Sequence, residues 1–303
     1  QGAAVALPPA EVSDNPTVSE VAVVYLRHAD QYYRTPDGKP GREYELSWDV
    51  MKYVRQECGA ELAEEFGPRR FKTIRQQLID ANLSRKFINN QMDRVKRMFK
   101  WGVSEELIPD ATYRALTTVA GLRRGRSKAK EMAPVVPVAD QVVDATLEHL
   151  PEVVADMVRV QRFTGMRAGE LVQMRPCDID RSGDVWSFRP ARHKTEHHGK
   201  DRVVAIGPKA QAVLLKYLAR ADDMHLFRPV DSEAKRLAEQ EANRETPPNC
   251  GNTRGSNRVA NPKRTAGEVY TVDAYRRAIT RAAKKAKVEH WSPHRLRHTA
   301  ATE

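Results

Sequence analysis

A chain of 303 residues is long enough to form two domains that each bury a hydrophobic core. Its three cysteines, Cys58, Cys177 and Cys250, are odd in number and widely spaced, which argues against a disulfide framework and favours a reducing, cytoplasmic compartment. The sequence has no apolar run as long as a membrane span, and its first residues lack the layout of a signal peptide. The net charge of +11 favours a polyanionic partner.

The positive charge is concentrated in two windows. Residues 121–130 contain five basic residues and no acid, and residues 254–287 contain ten basic residues and two acids. Clustered Lys and Arg release condensed counterions when they contact phosphates, so the windows predict a nucleic-acid-binding surface. The alternative is a solvated basic face that keeps the protein soluble.

The first part of the chain is predicted to be helical. Residues 1–16 lack a clear pattern and predict a flexible lead-in, and residues 17–120 predict a helical domain. The clearest helix covers residues 84–103, where the apolar positions recur at three- and four-residue steps: Ile88, Met92, Val95, Phe99 and Val103. Its polar face suits a phosphate backbone and carries Arg94, Lys96, Arg97 and Lys100. An ordinary amphipathic core helix is the alternative, and for Phe99 and Trp101 we favour packing over base stacking.

Residues 121–136 break the helical pattern with glycine, proline and unopposed charge, which predicts a basic interdomain linker. If both flanking domains contact one duplex, the linker would follow the DNA backbone between them. The candidate contacts are Arg123, Arg124, Arg126 and Lys128.

A second domain is predicted to cover residues 137–303. After two helical stretches, alternating apolar residues on either side of a basic turn predict a β-hairpin: Val185, Trp186 and Phe188, then Val203, Val204 and Ile206. A helix follows, and residues 231–267 predict a charged segment leading into a polar insertion. The next helix is strongly basic and offers three further candidate DNA contacts, Arg276, Arg277 and Arg281.

Arg167 in "TGMRAGEL" is the first candidate for chemistry. Gly165 predicts the end of one helix, so Arg167 stands near the first turn of the next. There its guanidinium can bind a phosphate, assisted by the N–H groups of the helix N-terminus. The alternative is a helix corner at which Arg167 pairs with Glu170.

Lys194 in "RHKTEHHGK" lies at the predicted hairpin turn, where a lysine can present a proton, unlike arginine, whose pKa is too high. A metal site formed by the neighbouring histidines is disfavoured, because adjacent strand residues point to opposite faces and the surrounding basic residues repel a cation.

The third candidate is "HRLRH", residues 294–298. His294 and His298 have the spacing of a helical zinc pair, but two arginines lie between them and the glutamate of H-E-x-x-H is missing. An anion is the better ligand. His294 and Arg297 share one helix face and can meet a single phosphate.

Taken together, "TGMRAGEL", the hairpin lysine and "SPHRLRHTAAT" resemble the tyrosine recombinase family of the phage integrase type in their order and spacing. The resemblance covers most of the chain. It implies a mainly α fold with a small antiparallel β-sheet, in which a helical core-binding (SAM-like) domain precedes an α+β catalytic domain. It also implies that the two domains close around double-stranded DNA and that the intact protein forms a tetrameric synapse.

The resemblance assigns roles to four residues. Arg167 and Arg297 would bind the scissile phosphate, Lys194 would protonate the leaving 5′-oxygen, and His294 would hydrogen-bond the phosphate or transfer a proton. Two guanidinium groups and a protein acid can replace a metal ion, so neither a metal nor another cofactor is expected.

The family's nucleophile is a tyrosine downstream of H-x-x-R, and here all nine tyrosines precede that motif. Tyr270 and Tyr275 come before it, with no feature that favours either as the nucleophile. We therefore expect a chain that is incomplete at its C-terminus and that binds DNA without forming a phosphotyrosyl intermediate. A DNA-binding recombinase remnant or regulator is one alternative, and a type IB topoisomerase is another.

Overall fold

The computed structural model describes residues 13–35, 38–191, 201–246 and 265–299. The chain divides into two compact units, residues 1–133 and 134–303, which we call the N-terminal unit and the C-terminal unit. Helices predominate in both, and the C-terminal unit also contains a small antiparallel sheet. The predicted fold class is confirmed.

The described part of the N-terminal unit contains five α-helices, α1 to α5, which span Val18–Tyr32, Arg42–Cys58, Pro68–Asp80, Arg85–Ser104 and Asp110–Thr117. The first and fourth begin at side-chain caps. Thr17 and Glu20 form a reciprocal capping box at α1, and the Ser84 hydroxyl accepts the N–H of Phe87 at 3.4 Å at α4. Such caps satisfy backbone donors that a helix leaves free at its start.

Helix α4 is the centre of this core, as its apolar spacing predicts. Ile88, Met92, Val95 and Phe99 are buried. The Phe99 ring stacks on Phe66 with 4.5 Å between the ring centroids. Each buried side chain of this size stabilises the fold by about 1.5–3 kcal/mol relative to an exposed one. Phe99 is therefore a packing residue.

The predicted linker is fixed to α4 over its first part. The Asn89 side chain accepts the N–H of Leu122 at 2.8 Å and donates to its carbonyl at 3.0 Å. Arg85 donates its backbone N–H to the carbonyl of Lys130 and forms an ion pair with Glu131. The four basic residues between these anchors are exposed, namely Arg123, Arg124, Arg126 and Lys128.

The described part of the C-terminal unit contains seven further α-helices, α6 to α12, which span Asp140–Leu147, Glu152–Thr164, Ala168–Val172, Pro208–Leu214, Pro229–Ala242, Val272–Lys285 and Pro293–Thr299. Three short strands, β1 to β3, span Ile179–Asp180, Trp186–Phe188 and Val204–Ile206.

The strands form an antiparallel sheet in the order β1-β2-β3. The predicted pairing of the second and third strands is confirmed, with Trp186 opposite Ile206 and Phe188 opposite Val204. Strand β1 is an addition that sequence analysis did not predict. The hairpin tip, residues 192–200, lies outside the described residues.

The charged segment at the start of the predicted insertion is helical, a secondary structure that the sequence pattern left unassigned. Helix α10 includes residues 229–242, and none of its residues is buried. Its helix-forming composition and its ion pairs account for it, since Glu233 pairs with Arg236 within the helix and Lys235 pairs with Glu152 of α7. Residues 247–264 lie outside the described part of the chain.

Helix α7 runs through the core of this unit and is buried on several sides. Helix α12 packs against it through the fully buried Leu296. Just before α12, the buried Trp291 donates its indole N–H to the Thr146 hydroxyl at 3.0 Å. These contacts fix the position of α12. In the part of the chain that the structure describes, no helix combines the length and apolar composition needed to cross a bilayer.

Candidate active site

A sharp corner between α7 and α8 places Arg167. Helix α7 ends at Thr164, and Gly165 follows with φ at +60°, a conformation that favours glycine because it has no Cβ. The N–H of Gly165 bonds to the carbonyl of Gln161 at 2.9 Å. Arg167 then stands immediately before the single short turn of α8. The predicted helix end at Gly165 is confirmed.

Arg167 is held by Glu170. Its backbone N–H donates to one carboxylate oxygen of Glu170 at 2.9 Å, and its Nη1 donates to the other at 2.7 Å. The Glu170 side chain is only 3% exposed, whereas that of Arg167 is 35% exposed. The Arg167–Glu170 pair, which was the alternative to phosphate binding, is therefore present. It orients the Arg167 guanidinium and leaves part of it exposed.

The expected contribution from the helix N-terminus stays a prediction. Helix α8 has only five residues, and the Glu170 carboxylate accepts the N–H of Arg167.

Arg297 reaches the same corner from α12. Its Nη1 donates to the carbonyl of Gly165 at 3.1 Å, across 132 positions of sequence. Burial lowers the pKa of Arg297, and the positive charges of Arg167 and Arg202 lower it further, while Glu170 opposes the shift. A bound anion would relieve the part of this shift that comes from the neighbouring guanidiniums.

Arg202 is a site residue that sequence analysis missed. Its guanidinium lies 3.4 Å from the Glu170 carboxylate, and its side chain is 29% exposed. Burial raises the pKa of Glu170, but hydrogen bonds from Arg167 and the charge of Arg202 outweigh burial and lower it below its ordinary value. Three arginines therefore surround one ionised carboxylate, and the local charge is positive.

His294 is exposed on α12, one turn before Arg297. Its ring lies edge-on to that of His298, with 4.8 Å between centroids and 3.3 Å between the two Nε2 atoms. One ring donates and the other accepts in this contact. Among the described residues, no group of three or more His, Cys, Asp and Glu side chains is arranged to hold a metal ion.

The comparison with protein families decides the identity. The sequence model of the phage integrase family matches residues 138–303, more than half of the chain. The chain belongs to the phage integrase family.

Solved structures share the fold at low sequence identity. A Tn1549 transposon integrase fragment in complex with circular intermediate DNA is 18% identical, with a TM-score of 0.58 over 94% of this chain and 86% of that one. A lambda integrase fragment, solved as a dimer on a core site, is 12% identical, with a TM-score of 0.64 over 94% of this chain and 89% of that one. A lambda integrase tetramer on a Holliday junction gives a TM-score of 0.62 at 12% identity, over 95% of this chain and 73% of that one. No curated protein matches the sequence significantly.

The phage-integrase resemblance rests on Arg167, Lys194, His294 and Arg297. The structure brings Arg167 and Arg297 to one corner, and it places His294 on the same helix as Arg297. Lys194 lies outside the described residues.

Arg295, between the two motif residues, has a structural role. Its guanidinium donates to the carbonyls of Val136 and Pro137 at 2.8 and 2.9 Å and pairs with Glu289 at 2.9 Å. Arg295 therefore holds the start of the C-terminal unit in place. Arg297 and His294 are the residues of this motif that we consider for ligand binding.

Neither tyrosine near the motif is available as a nucleophile. Tyr275 is fully buried and donates to Gln161 at 2.9 Å, and burial raises its pKa well above its ordinary value. Tyr270 is 7% exposed, lies 2.7 Å from the Ser232 hydroxyl and has a pKa raised by burial. A phenol that is buried and hard to ionise makes a poor attacking group.

The expectation that Arg94 lies on an exposed basic face is wrong. Arg94 is buried and donates to the Glu43 carboxylate at 2.7 Å and to the Gln91 amide oxygen at 3.2 Å. Arg94 lies beside the apolar stripe of α4, where it pairs with Glu43 of α2. Arg97 donates to the other oxygen of Glu43 at 2.6 Å but keeps 42% of its side chain exposed.

The remaining candidate DNA contacts are on the surface. Lys100, the four linker cations and the three arginines of α11, Arg276, Arg277 and Arg281, are exposed. Arg276 and Arg277 share Asp273 as an ion-pair partner at 2.9 and 3.7 Å.

Proposed function

We propose that this chain carries the DNA-binding and phosphate-binding part of a site-specific DNA recombinase. The observation that carries the proposal is the convergence of Arg167 and Arg297 on one corner. The two residues come from distant parts of the sequence, and both retain guanidinium nitrogens beyond those bonded to protein atoms. Double-stranded DNA is the proposed partner.

The charge of the site suits the reaction of a phosphodiester. Three guanidiniums and one carboxylate leave an excess of two positive charges at the corner. A phosphodiester has one negative charge, and attack by a nucleophile adds a second in the transition state. The site therefore stabilises the transition state more than the ground state, which is the condition for lowering a barrier.

The proposed roles follow the family pattern. Arg167 and Arg297 bind the non-bridging oxygens of the scissile phosphate, and Arg202, paired with Glu170, adds positive charge nearby. His294 hydrogen-bonds the phosphate or transfers a proton, and Lys194 protonates the leaving oxygen. No step requires a metal ion or another cofactor.

The covalent step needs a tyrosine that these residues do not place in the site. All nine tyrosines precede the H-x-x-R motif, and the two nearest are buried. We propose that these 303 residues bind and polarise a phosphodiester, and that recombination through a 3′-phosphotyrosyl bond takes place in a tetramer on DNA. Similarity in fold to a lambda integrase tetramer on a Holliday junction supports this assembly.

The test is the salt dependence of duplex binding by Arg167→Ala and Arg297→Ala. Losing one phosphate contact reduces the slope of log K against log salt by about 0.9. Arg175→Ala is the matched control, because Arg175 also pairs with an acid three positions later and is 31% exposed. We expect a smaller slope in both site variants and an unchanged slope in the control. Equal slopes in all three variants would refute the phosphate role.

Formation of a denaturant-stable adduct with nicked duplex DNA separates binding from covalent chemistry. We expect no adduct with the chain as given. An adduct would show that a side chain of this chain acts as the nucleophile.

A further inference from the structure

Two buried polar side chains, Gln161 and Tyr275, form a relay that ends at the corner before Arg167. Both are fully buried in the C-terminal unit. The Tyr275 hydroxyl, on α11, donates to Oε1 of Gln161 at 2.9 Å, and Nε2 of Gln161 donates to the carbonyl of Met166 at 3.1 Å. The relay connects α11, α7 and the corner.

The relay holds one end of the peptide group that carries Arg167. The carbonyl of that group belongs to Met166 and accepts from Gln161, while its N–H belongs to Arg167 and donates to Glu170. The preceding carbonyl, that of Gly165, accepts from Arg297. Two successive peptide groups of the corner are therefore fixed by side chains from other turns or helices.

This fixation matters because the corner is built on a glycine. Gly165 has a left-handed conformation and few steric limits on its backbone, so the corner can rotate unless its peptide groups are held. The direction of the peptide between residues 166 and 167 sets the direction in which the Arg167 side chain leaves the backbone. Small displacements of a phosphate-binding group weaken transition-state stabilisation strongly.

Burying the Gln161 amide and the Tyr275 hydroxyl costs desolvation free energy, which would be avoided if these side chains served only to fill space. An apolar pair of similar size would fill the same volume without desolvating an amide and a phenol. The hydrogen bonds offset that cost only when both partners are in place, which makes the relay specific for one arrangement of the corner.

We propose that Gln161 and Tyr275 are positioning residues that hold the Arg167 peptide so that its guanidinium faces the phosphate. The inference rests on the proposed function of Arg167. The relay also links the corner to α11, whose outer face displays Arg276 and Arg281 to solvent. The helix proposed to contact the DNA backbone thus also holds the phosphate-binding corner in place.

A double-mutant cycle tests the proposal with the full chain. The probe is a fluorescently labelled mixed-sequence duplex, and the affinity is measured for Tyr275→Phe, Arg167→Ala and the combination. We expect Tyr275→Phe to weaken binding about fivefold in the wild-type background, as for the loss of one hydrogen bond, and to have no further effect once Arg167 is replaced. An unchanged affinity in the wild-type background, or an equal loss in both backgrounds, would overturn the relay.

Tyr270→Phe separates positioning from stability. It also removes a buried hydroxyl, one that contacts Ser232 instead of Gln161. We expect both Tyr→Phe variants to lower thermal stability by a similar amount, and only Tyr275→Phe to weaken DNA binding. Equal losses of affinity in the two variants would show a purely structural role for Tyr275 and would overturn the relay.

The two proposals fail in distinguishable ways. If Arg167→Ala leaves the affinity unchanged, the phosphate role fails, and the relay proposal fails with it. If Arg167→Ala weakens binding while Tyr275→Phe does not, only the relay proposal is wrong.

Discussion

Replacing Glu170 by Gln removes the one negative charge at the centre of the arginine cluster while keeping an oxygen that can accept the N–H of Arg167. Glu170 is buried and bonded to Arg167 at 2.7 Å, and Arg202 lies 3.4 Å away. The variant leaves the three guanidiniums without a counter-charge, so they repel one another. We expect it to destabilise the C-terminal unit and to displace Arg167.

The size of the expected loss in stability follows from how exposed Arg167 and Arg202 are. Breaking a fully buried ion pair by removing one charge costs about 3–5 kcal/mol. Arg167 and Arg202 keep 35% and 29% of their side chains exposed, so water solvates part of the charge that is left behind. A loss of about 1–3 kcal/mol in the free energy of unfolding at neutral pH is therefore expected.

The pH dependence has a definite sign. The folded-state pKa of Glu170 is lowered below its ordinary value of 4.5, so its stabilising contribution is complete above that pH and is lost as the pH falls through the folded pKa. Urea unfolding of the wild type and of Glu170→Gln should therefore differ most at neutral pH and converge in acid. Glu233→Gln, which alters an exposed pair with Arg236, is the control. A difference that is absent at neutral pH, or that persists unchanged in acid, would refute the reasoning.

Three further substitutions have expected outcomes. Arg295→Ala should destabilise the C-terminal unit by about 1–3 kcal/mol, because it removes donors to two carbonyls, and should leave the salt slope of DNA binding unchanged; urea unfolding and anisotropy titrations check both. Arg94→Met should alter the free energy of unfolding and the pKa of Glu43 without reducing DNA affinity, since Arg94 is buried; equal losses of affinity in Arg94→Met and Lys100→Met would contradict this assignment. Gly165→Ala should lower stability by about 1 kcal/mol through its left-handed φ, and an unchanged melting temperature would show that the corner adapts.

Local patterns in the sequence were sufficient for the elements that depend on local rules. The apolar spacing of α4 predicts a helix over residues 84–103, and the observed helix spans Arg85–Ser104. Gly165 marks the end of α7 because the required φ is positive. The alternation in β2 and β3 predicts their pairing, since side chains in a strand alternate between two faces.

Features that depend on distant contacts were not predictable. Arg94 lies on α4 beside its apolar stripe, but it is buried because Glu43, 51 positions earlier, provides a partner. Arg202 joins the site only through Glu170, 32 positions away, and no local motif marks it. Helix α10 buries no side chain, and its apolar positions are mostly small residues among many charges, so the sequence marks it weakly.

The sequence pointed to two residues that the structure brings together, but it did not give their geometry. The motif order pointed to Arg167 and Arg297, and the structure brings both to the carbonyl and carboxylate groups of one corner. Arg295 and Gln161 act through hydrogen bonds to backbone carbonyls, those of Val136 and Met166. No local sequence pattern predicts such bonds.

The most direct test of the central claim is a structure of this chain bound to duplex DNA. We expect one backbone phosphate within about 2.7–2.9 Å of both the Arg167 and Arg297 guanidiniums, the range of a charge-assisted hydrogen bond. A duplex bound with no phosphate at this corner, or with Arg167 still paired only with Glu170, would contradict it.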